Sequence, residues 1–206
     1  VKWLRQQPNI EPASSKRFND FEELDETLRI QALSFELASL TKAISHENSV
    51  NSEYARLIAE VIRLECDADF GVVPVSLLIN TREPLTLVTP ARVISDFTSS
   101  QGVKVLEMNG TTLLSLTRSA IASSSAPLAF SGFSLEKMSE DQIKIYPWNG
   151  NFDPEFIYRV AVSEDFPMEL EGQYNLKTCK STKRFNDIRR CFINGLRRRN
   201  GQVEIK

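Results

Sequence analysis

The sequence predicts a mixed α/β (α+β) domain, layered rather than doubly wound. Three observations carry this prediction. Apolar residues recur at helical spacing in several segments. Between them lie short runs rich in Val, Ile and Phe, which suit buried strands. The two kinds of segment interleave without the regular strand–helix–strand alternation of a parallel doubly wound sheet. With 206 residues, 41% of them hydrophobic and 25% charged, the chain can bury a proper core.

Residues 1–15 contain Gln6-Gln7-Pro8-Asn9 and Pro12-Ala13-Ser14-Ser15, turn-forming and irregular. They set the expected boundaries: a linker or leader over 1–18 and one domain over 19–206. From Asp20, residues Phe21, Leu24, Leu28, Phe35 and Ile44 recur at intervals compatible with a helix. Glu22, Glu23, Asp25 and Glu26 crowd its first turns, where carboxylates meet the positive helix end. Asn51-Ser52 offers the N-cap of a second helix with Tyr54, Leu57, Ile58, Val61 and Ile62 on one face.

Asp69 to Val75 is β-branched and apolar, a buried strand. Thr89 as cap and Pro90 at the first helical position begin a short helix that ends near Phe97. Val103 to Met108 is a strand, and Asn109 caps a helix carrying Leu113, Leu114, Leu116, Ala120 and Ile121. Three strands follow at Leu128–Phe133, Ile143–Tyr146 and Ile157–Val162, with Phe130, Phe133 and Phe156 as core. A final helix runs from Thr182 to Arg199, its apolar side formed by Phe185, Ile188, Phe192, Ile193 and Leu196. Asn200-Gly201 stops it, and Val203 to Ile205 supplies a last strand. Trp148, on the turn Tyr146-Pro147-Trp148-Asn149-Gly150, is either a partner anchor or a hairpin tip packed on its own domain.

Composition removes several function classes. A formal net charge of -2 gives no global attraction to nucleic acid or anionic membrane. No apolar run reaches spanning length, and residues 1–5 lack a signal-peptide core. Cys66, Cys179 and Cys191 are too few for a disulfide scaffold; a Cys179–Cys191 bridge in an oxidising compartment and free thiols are the two readings. His46 is the only histidine and lies in a polar stretch that reads as surface. Two-metal phosphoesterase centres need several imidazoles and carboxylates around ions about 3.5–4 Å apart, so one histidine cannot build one.

Glu22–Glu26 and Glu164-Asp165 lack the alternate-residue spacing and glycine of a calcium loop. Ser123-Ser124-Ser125 has no flanking GxSxG. Lys180, Lys183, Arg184, Arg189, Arg190 and Arg197-Arg198-Arg199 invite a nucleic-acid reading, but they surround an apolar stripe and read as a solvated face.

The ordered series Val103-Lys104-Val105-Leu106-Glu107-Met108-Asn109-Gly110, Phe130-Ser131-Gly132-Phe133, Gln142–Tyr146, Asp153-Pro154 and Phe156–Val162 resembles the C-terminal, nucleotide-recognising domain of the 5'-nucleotidase / UDP-sugar hydrolase family. There a strand ending in "ELTG" starts a helix, an "SG" strand follows, and a "YRVAT-ND" strand leads into a ligand loop. The resemblance runs from about Asn51 to the end of the chain. It implies mixed sheets flanked by helices, and divalent metals held only by a separate N-terminal metallophosphoesterase domain, the implied partner. No cofactor is expected in this chain. It also implies an extracytoplasmic setting.

The same resemblance marks where ligand contacts should be. The family's stacking phenylalanine in a "PFxN" turn falls at Ser99, and its asparagine at Gln101. The "GGDGF/Y" loop falls at Glu171, Gly172, Gln173 and Tyr174, with Glu171 for the aspartate, Gln173 for the aromatic, and Tyr174 one residue beyond. The "NGGxIR" turn falls on the segment from Pro74 through Ser76 to Ile79, without its glycines or arginine, and Arg82 is the candidate anion contact three residues on. Each lost ring removes about 1–3 kcal/mol of stacking and the lost guanidinium about 1.5–3 kcal/mol. Together these exceed a factor of about a thousand in affinity. The implied function is therefore the substrate-recognition domain of a nucleotide or nucleotide-sugar hydrolase, with a degenerate pocket and no catalytic residues in this chain. The alternative is a non-enzymatic interaction module that kept the fold and lost the ligand.

Overall fold

A computed structural model describes residues 30–44, 51–79, 85–122, 127–138, 143–164, 166 and 179–203. The chain divides into two units, residues 1–35 and 36–206. In the first, a short helical stretch covers 30–34. The rest of this description concerns the second.

Helix α1 (Glu53–Glu65) forms as expected, with the Ser52 hydroxyl accepting from the Ala55 amide at 3.3 Å. Its face from Tyr54 to Ile62 is buried. Strand β2 (Phe70–Pro74) is buried at every residue. Thr89 caps α2 (Pro90–Asp96), accepting from the Arg92 amide at 3.2 Å. Strand β4 (Val103–Asn109) leads directly into α3 (Gly110–Ala122), where the Asn109 side chain accepts from Thr112 at 2.8 Å.

A five-stranded sheet holds the molecule together, in the order β5 (Leu128–Ser131), β2, β8 (Ile157–Ser163), β4, β9 (Lys180–Phe185). Only β2 and β8 run parallel; the other pairs are antiparallel. Among the described residues there are also two two-stranded antiparallel sheets: β1 (Ala38–Ile44) with β3 (Leu85–Val88), which are distant in sequence, and the hairpin of β6 (Phe133–Lys137) with β7 (Ile143–Pro147). The mixed sheets and flanking helices bear out the expected class. Phe70, Val72, Leu106, Leu113, Leu116, Phe130, Phe133, Ile145, Tyr158 and Val160 form one core between the sheet, α3 and the β6–β7 hairpin. Helix α1 covers β2 and β5, and packs against α4 (Ile188–Arg198).

Several expected elements differ. The helix extended toward Ile44 gives way to β1 over Ala38–Ile44, because a partner strand, β3, is available to pair its backbone. Residues 20–29 lie outside the described residues. The single strand over Leu128–Phe133 is two strands, broken at Gly132, whose φ of +96° an L side chain rarely adopts. The last helix starts at Ile188 rather than Thr182. Residues Lys180 to Phe185 pair with β4, and Asp187 then caps α4 by accepting from the Arg189 amide at 2.8 Å. The helix stops at Asn200 and Gly201, both at positive φ, as the sequence indicates. The last strand falls mainly outside the described residues.

Phe156, expected in the core, is 55% exposed: it precedes β8 and its ring meets the edge of Tyr158 instead. Trp148 is half-buried against its own domain, its amide donating to Gly132 O at 3.0 Å and its ring under the Arg63 guanidinium at 5.6 Å. Cys191 lies beside Cys66 rather than Cys179, and all three thiols are free. His46 and Ser123–Ser125 lie outside the described residues.

Candidate functional site

Pro74 closes β2, and a 3-10 turn over Val75–Leu77 carries the chain out of the sheet. Pro74 is buried, whereas Ser76 is exposed. After α2 the chain returns past the same place. Leu78 and Phe97 form an isolated antiparallel bridge, the Ile79 amide donates to Asp96 O at 2.7 Å, and the Thr98 amide donates to Leu77 O at 2.8 Å. The Thr98 hydroxyl also lies within hydrogen-bonding distance of Ser76 O at 3.1 Å and Leu77 O at 3.0 Å. Two turns far apart in sequence are thereby zipped into one corner.

Ser99 and Gln101 sit in the second turn. The Ser99 hydroxyl accepts from the Gln101 amide at 3.1 Å, and Gln101 O accepts from the Ile188 amide at 2.7 Å. The start of α4 therefore fixes the turn from behind. Of the expected site residues, the structure brings Pro74, Ser76, Ser99 and Gln101 into this corner. Glu171, Gly172, Gln173, Tyr174 and Arg82 lie outside the described residues.

What this corner can do follows from its groups. Ser76, Ser99 and Gln101 offer two hydroxyls and one carboxamide, short neutral donors and acceptors. The nearest aromatic of the turn, Phe97, is buried and packs on Phe192 at 5.8 Å between centroids. Its ring belongs to the core and is not a stacking face for a ligand. Thr98, whose hydroxyl pins the two turns together, has no signal in the sequence; a hydroxyl opposite a turn carbonyl carries no pattern of its own.

Charge gathers at the other end of β2. There a cavity of about 400 Å³ is lined by residues including Arg63, Asp67, Asp69, Trp148 and Arg159. Arg63 donates from Nε and Nη2 to both carboxylate oxygens of Glu60, each at 2.7 Å. The Ser131 hydroxyl donates to the same carboxylate. Arg159 pairs with Asp67 at 3.1 Å, and its backbone amide donates to Asp69 at 2.8 Å. Among the described residues, no group of three or more His, Cys, Asp or Glu side chains is placed to hold a metal ion. Among them also, no helix is long and apolar enough to cross a membrane.

The basic residues of the chain's end mostly face carboxylates. Arg198 and Arg199 share Glu65 at 2.9 and 2.6 Å, Lys183 meets Glu164 at 2.9 Å, Lys180 meets Glu107 at 3.1 Å, and Arg189 meets Asp187 at 3.1 Å. Glu164 is held below the usual carboxylate range, chiefly by the hydrogen bond from Lys183 and further by the Gly102 amide, against some desolvation.

A five-stranded mixed sheet clasped by α1, α3 and α4, with the β6–β7 hairpin alongside, is similar in fold to part of a 5'-nucleotidase. The chain is similar in structure to a 5'-nucleotidase precursor of Thermus thermophilus, with a TM-score of 0.66 and 16% identity over 94% of this chain and 42% of that one. It is similar to the NAD nucleotidase NadN of Haemophilus influenzae, with a TM-score of 0.67 and 11% identity over 96% and 41%. It is also similar to the sulfate thiohydrolase SoxB of Thermus thermophilus, with a TM-score of 0.64 and 12% identity over 94% and 38%.

The resemblance read from the sequence is borne out as one of fold. At these identities the likeness reaches no further than the fold, and enzymes named for different substrates share it. The chain spans about two fifths of the length of each of these structures. No protein-family model matches the sequence, and no curated protein is significantly similar to it.

Proposed function

We propose that this chain is the substrate-recognition domain of a 5'-nucleotidase-like metallophosphoesterase, with a nucleotide pocket that has lost its grip. In that reading the catalytic metals belong to a separate N-terminal domain, and the domain's own task is positioning. One observation carries the degenerate pocket. Among the described residues, the corner built from Pro74, Ser76, Ser99 and Gln101 presents hydroxyls and an amide, while the ring of Phe97 is turned into the core. Neutral hydroxyls supply neither the stacking face nor the guanidinium that a base and its phosphates require.

Calorimetric titration with AMP, adenosine and UDP-glucose tests this. The expected result is no saturation below about millimolar ligand, equivalent to less than about 4 kcal/mol of binding. Saturation in the micromolar range would contradict it. A second reading, an interaction module that kept the fold, is favoured by the neighbouring exposed pair Phe156 and Ile157, each 55% exposed. Substituting both with Ser and comparing solution mass and solubility separates this reading from the first.

A further inference from the structure

Cys66 and Cys191 are a buried pair that the proposed function does not use. Cys66 is the C-cap of α1, and Cys191 sits in the first turn of α4. Their side chains are in hydrogen-bonding contact with each other, and both are buried. The contact is held by the helix packing around it. Four residues past Cys191, Gly195 meets α1 so closely that an added Cβ would lie 2.4 Å from Val61 Cγ1 and 2.9 Å from Glu65 Cγ. Beside that contact, the two oxygens of Glu65 receive Arg198 and Arg199. The cap itself is tied down, since Cys66 O accepts from Arg159 Nη2 at 3.2 Å. Gly195 seated on the Val61 and Glu65 side chains, together with the Glu65 ion pairs, holds the two helix ends together beside the sulfurs.

We propose that Cys66 and Cys191 form an oxidisable dithiol that a small peroxide converts to a disulfide, joining the end of α1 covalently to α4. The two thiols differ in their surroundings. Donation from Cys191 holds the Cys66 thiol below its ordinary range despite burial, with the Arg184 and Arg159 charges assisting and the Glu65 charge opposing. Cys191 is pushed up by the same contact and by burial. Cys66, whose carbonyl accepts from the Arg159 guanidinium at 3.2 Å, is the attacking thiolate.

Its sulfur attacks one oxygen of hydrogen peroxide; the S–O bond forms, the O–O bond breaks, and the departing hydroxide takes the proton Cys66 gave up, leaving as water. The Cys191 sulfur then attacks the Cys66 sulfenic acid; the S–S bond forms, the S–O bond breaks, and the hydroxyl leaves with the Cys191 proton as a second water. Two thiols lose two electrons and two protons, and one peroxide becomes two waters. Cys179 is set apart, packed at the edge of the main core with a thiol raised by burial.

The test is peroxide titration of the folded chain carrying Cys179→Ser, read by intact mass and by non-reducing peptide mapping. The expected result is loss of two hydrogens and a peptide linking 66 to 191. A rise in Tm that dithiothreitol reverses should accompany it, because the bridge closes a long loop of the unfolded chain. Cys66→Ser and Cys191→Ser should each abolish the linked peptide and the Tm rise. Oxygen added to separate cysteines without a linked peptide would overturn the proposal. So would a link that uses Cys179 in the unsubstituted chain, whose digest answers independently of how any variant folds.

Discussion

The two ends of strand β2 differ in kind. At its start, Asp69 and Phe70 border a polar cavity where Asp67 pairs with Arg159, and where Arg63 is held by Glu60, which also accepts from Ser131. At its finish, Pro74 and Ser76 enter a corner joined by backbone carbonyls and the Thr98 hydroxyl, where Ser76, Ser99 and Gln101 among the described residues offer neutral groups. The first end is structural: its charges are spent on holding α1 against β5 and β8. The second is the corner where the 5'-nucleotidase resemblance puts a ligand, and little is spent there beyond keeping the turns in place. Substitutions should therefore be costly at one end and nearly silent at the other.

The largest expected effect is at Glu60. Its Ala variant leaves the Arg63 guanidinium, 15% exposed, without its carboxylate and strips Ser131 of its acceptor. Breaking such a pair should cost about 3–5 kcal/mol in urea unfolding. Gly71→Ala comes next. Its Cβ would lie 2.1 Å from Ala59 O, a backbone atom of α1 that cannot swing aside. Separating α1 from β2 should cost about 3 kcal/mol by the same measurement.

Thr98→Val removes the hydroxyl that pins the two turns and should cost about 1 kcal/mol, with amide exchange rising at Leu78 and Ile79. Ser99→Ala and Gln101→Ala should change stability by no more than about 0.5 kcal/mol. A cost above about 2 kcal/mol at either would break the contrast between the two ends.

A smaller effect depends on pH. The folded-state pKa of Glu164 is depressed, so its contribution to stability is fully present above the ordinary carboxylate range and is lost as pH falls through the folded value. Lys183 is half exposed, and solvent screening keeps the contribution below about 1 kcal/mol. Glu164→Gln should flatten the fall in stability on the acid side of pH ~4.5 and leave the slope near neutrality unchanged.

Much of the scaffold was legible because its signals are local. Ser52, Thr89 and Asn109 cap their helices where their side chains suggest, and the apolar runs at Phe70–Pro74 and Val103–Asn109 are strands. The misses were partner-dependent. Residues Lys180 to Phe185 carry three basic residues and an apolar end, compatible with a helix, and only β4 makes them a strand. Likewise Ala38–Ile44 needs β3. Phe156 looked like core because an aromatic near a β-branched strand usually is; its place before the strand left it exposed.

The site was legible only as positions. Ser76 and Ser99 are separated by 23 places in the sequence, and nothing in their local sequence announces that Thr98 would join their turns. The Cys66–Cys191 contact was invisible for the same reason, while the shorter Cys179–Cys191 spacing drew attention away from it.

The most direct measurement of the central claim follows the backbone amides of Ser76, Thr98, Ser99 and Gln101 by NMR as AMP is added to labelled protein. The account predicts no saturable shift at these four amides up to about millimolar ligand. Saturating shifts at this corner with a micromolar dissociation constant would show that its hydroxyls and amide still grip a nucleotide, and would contradict it.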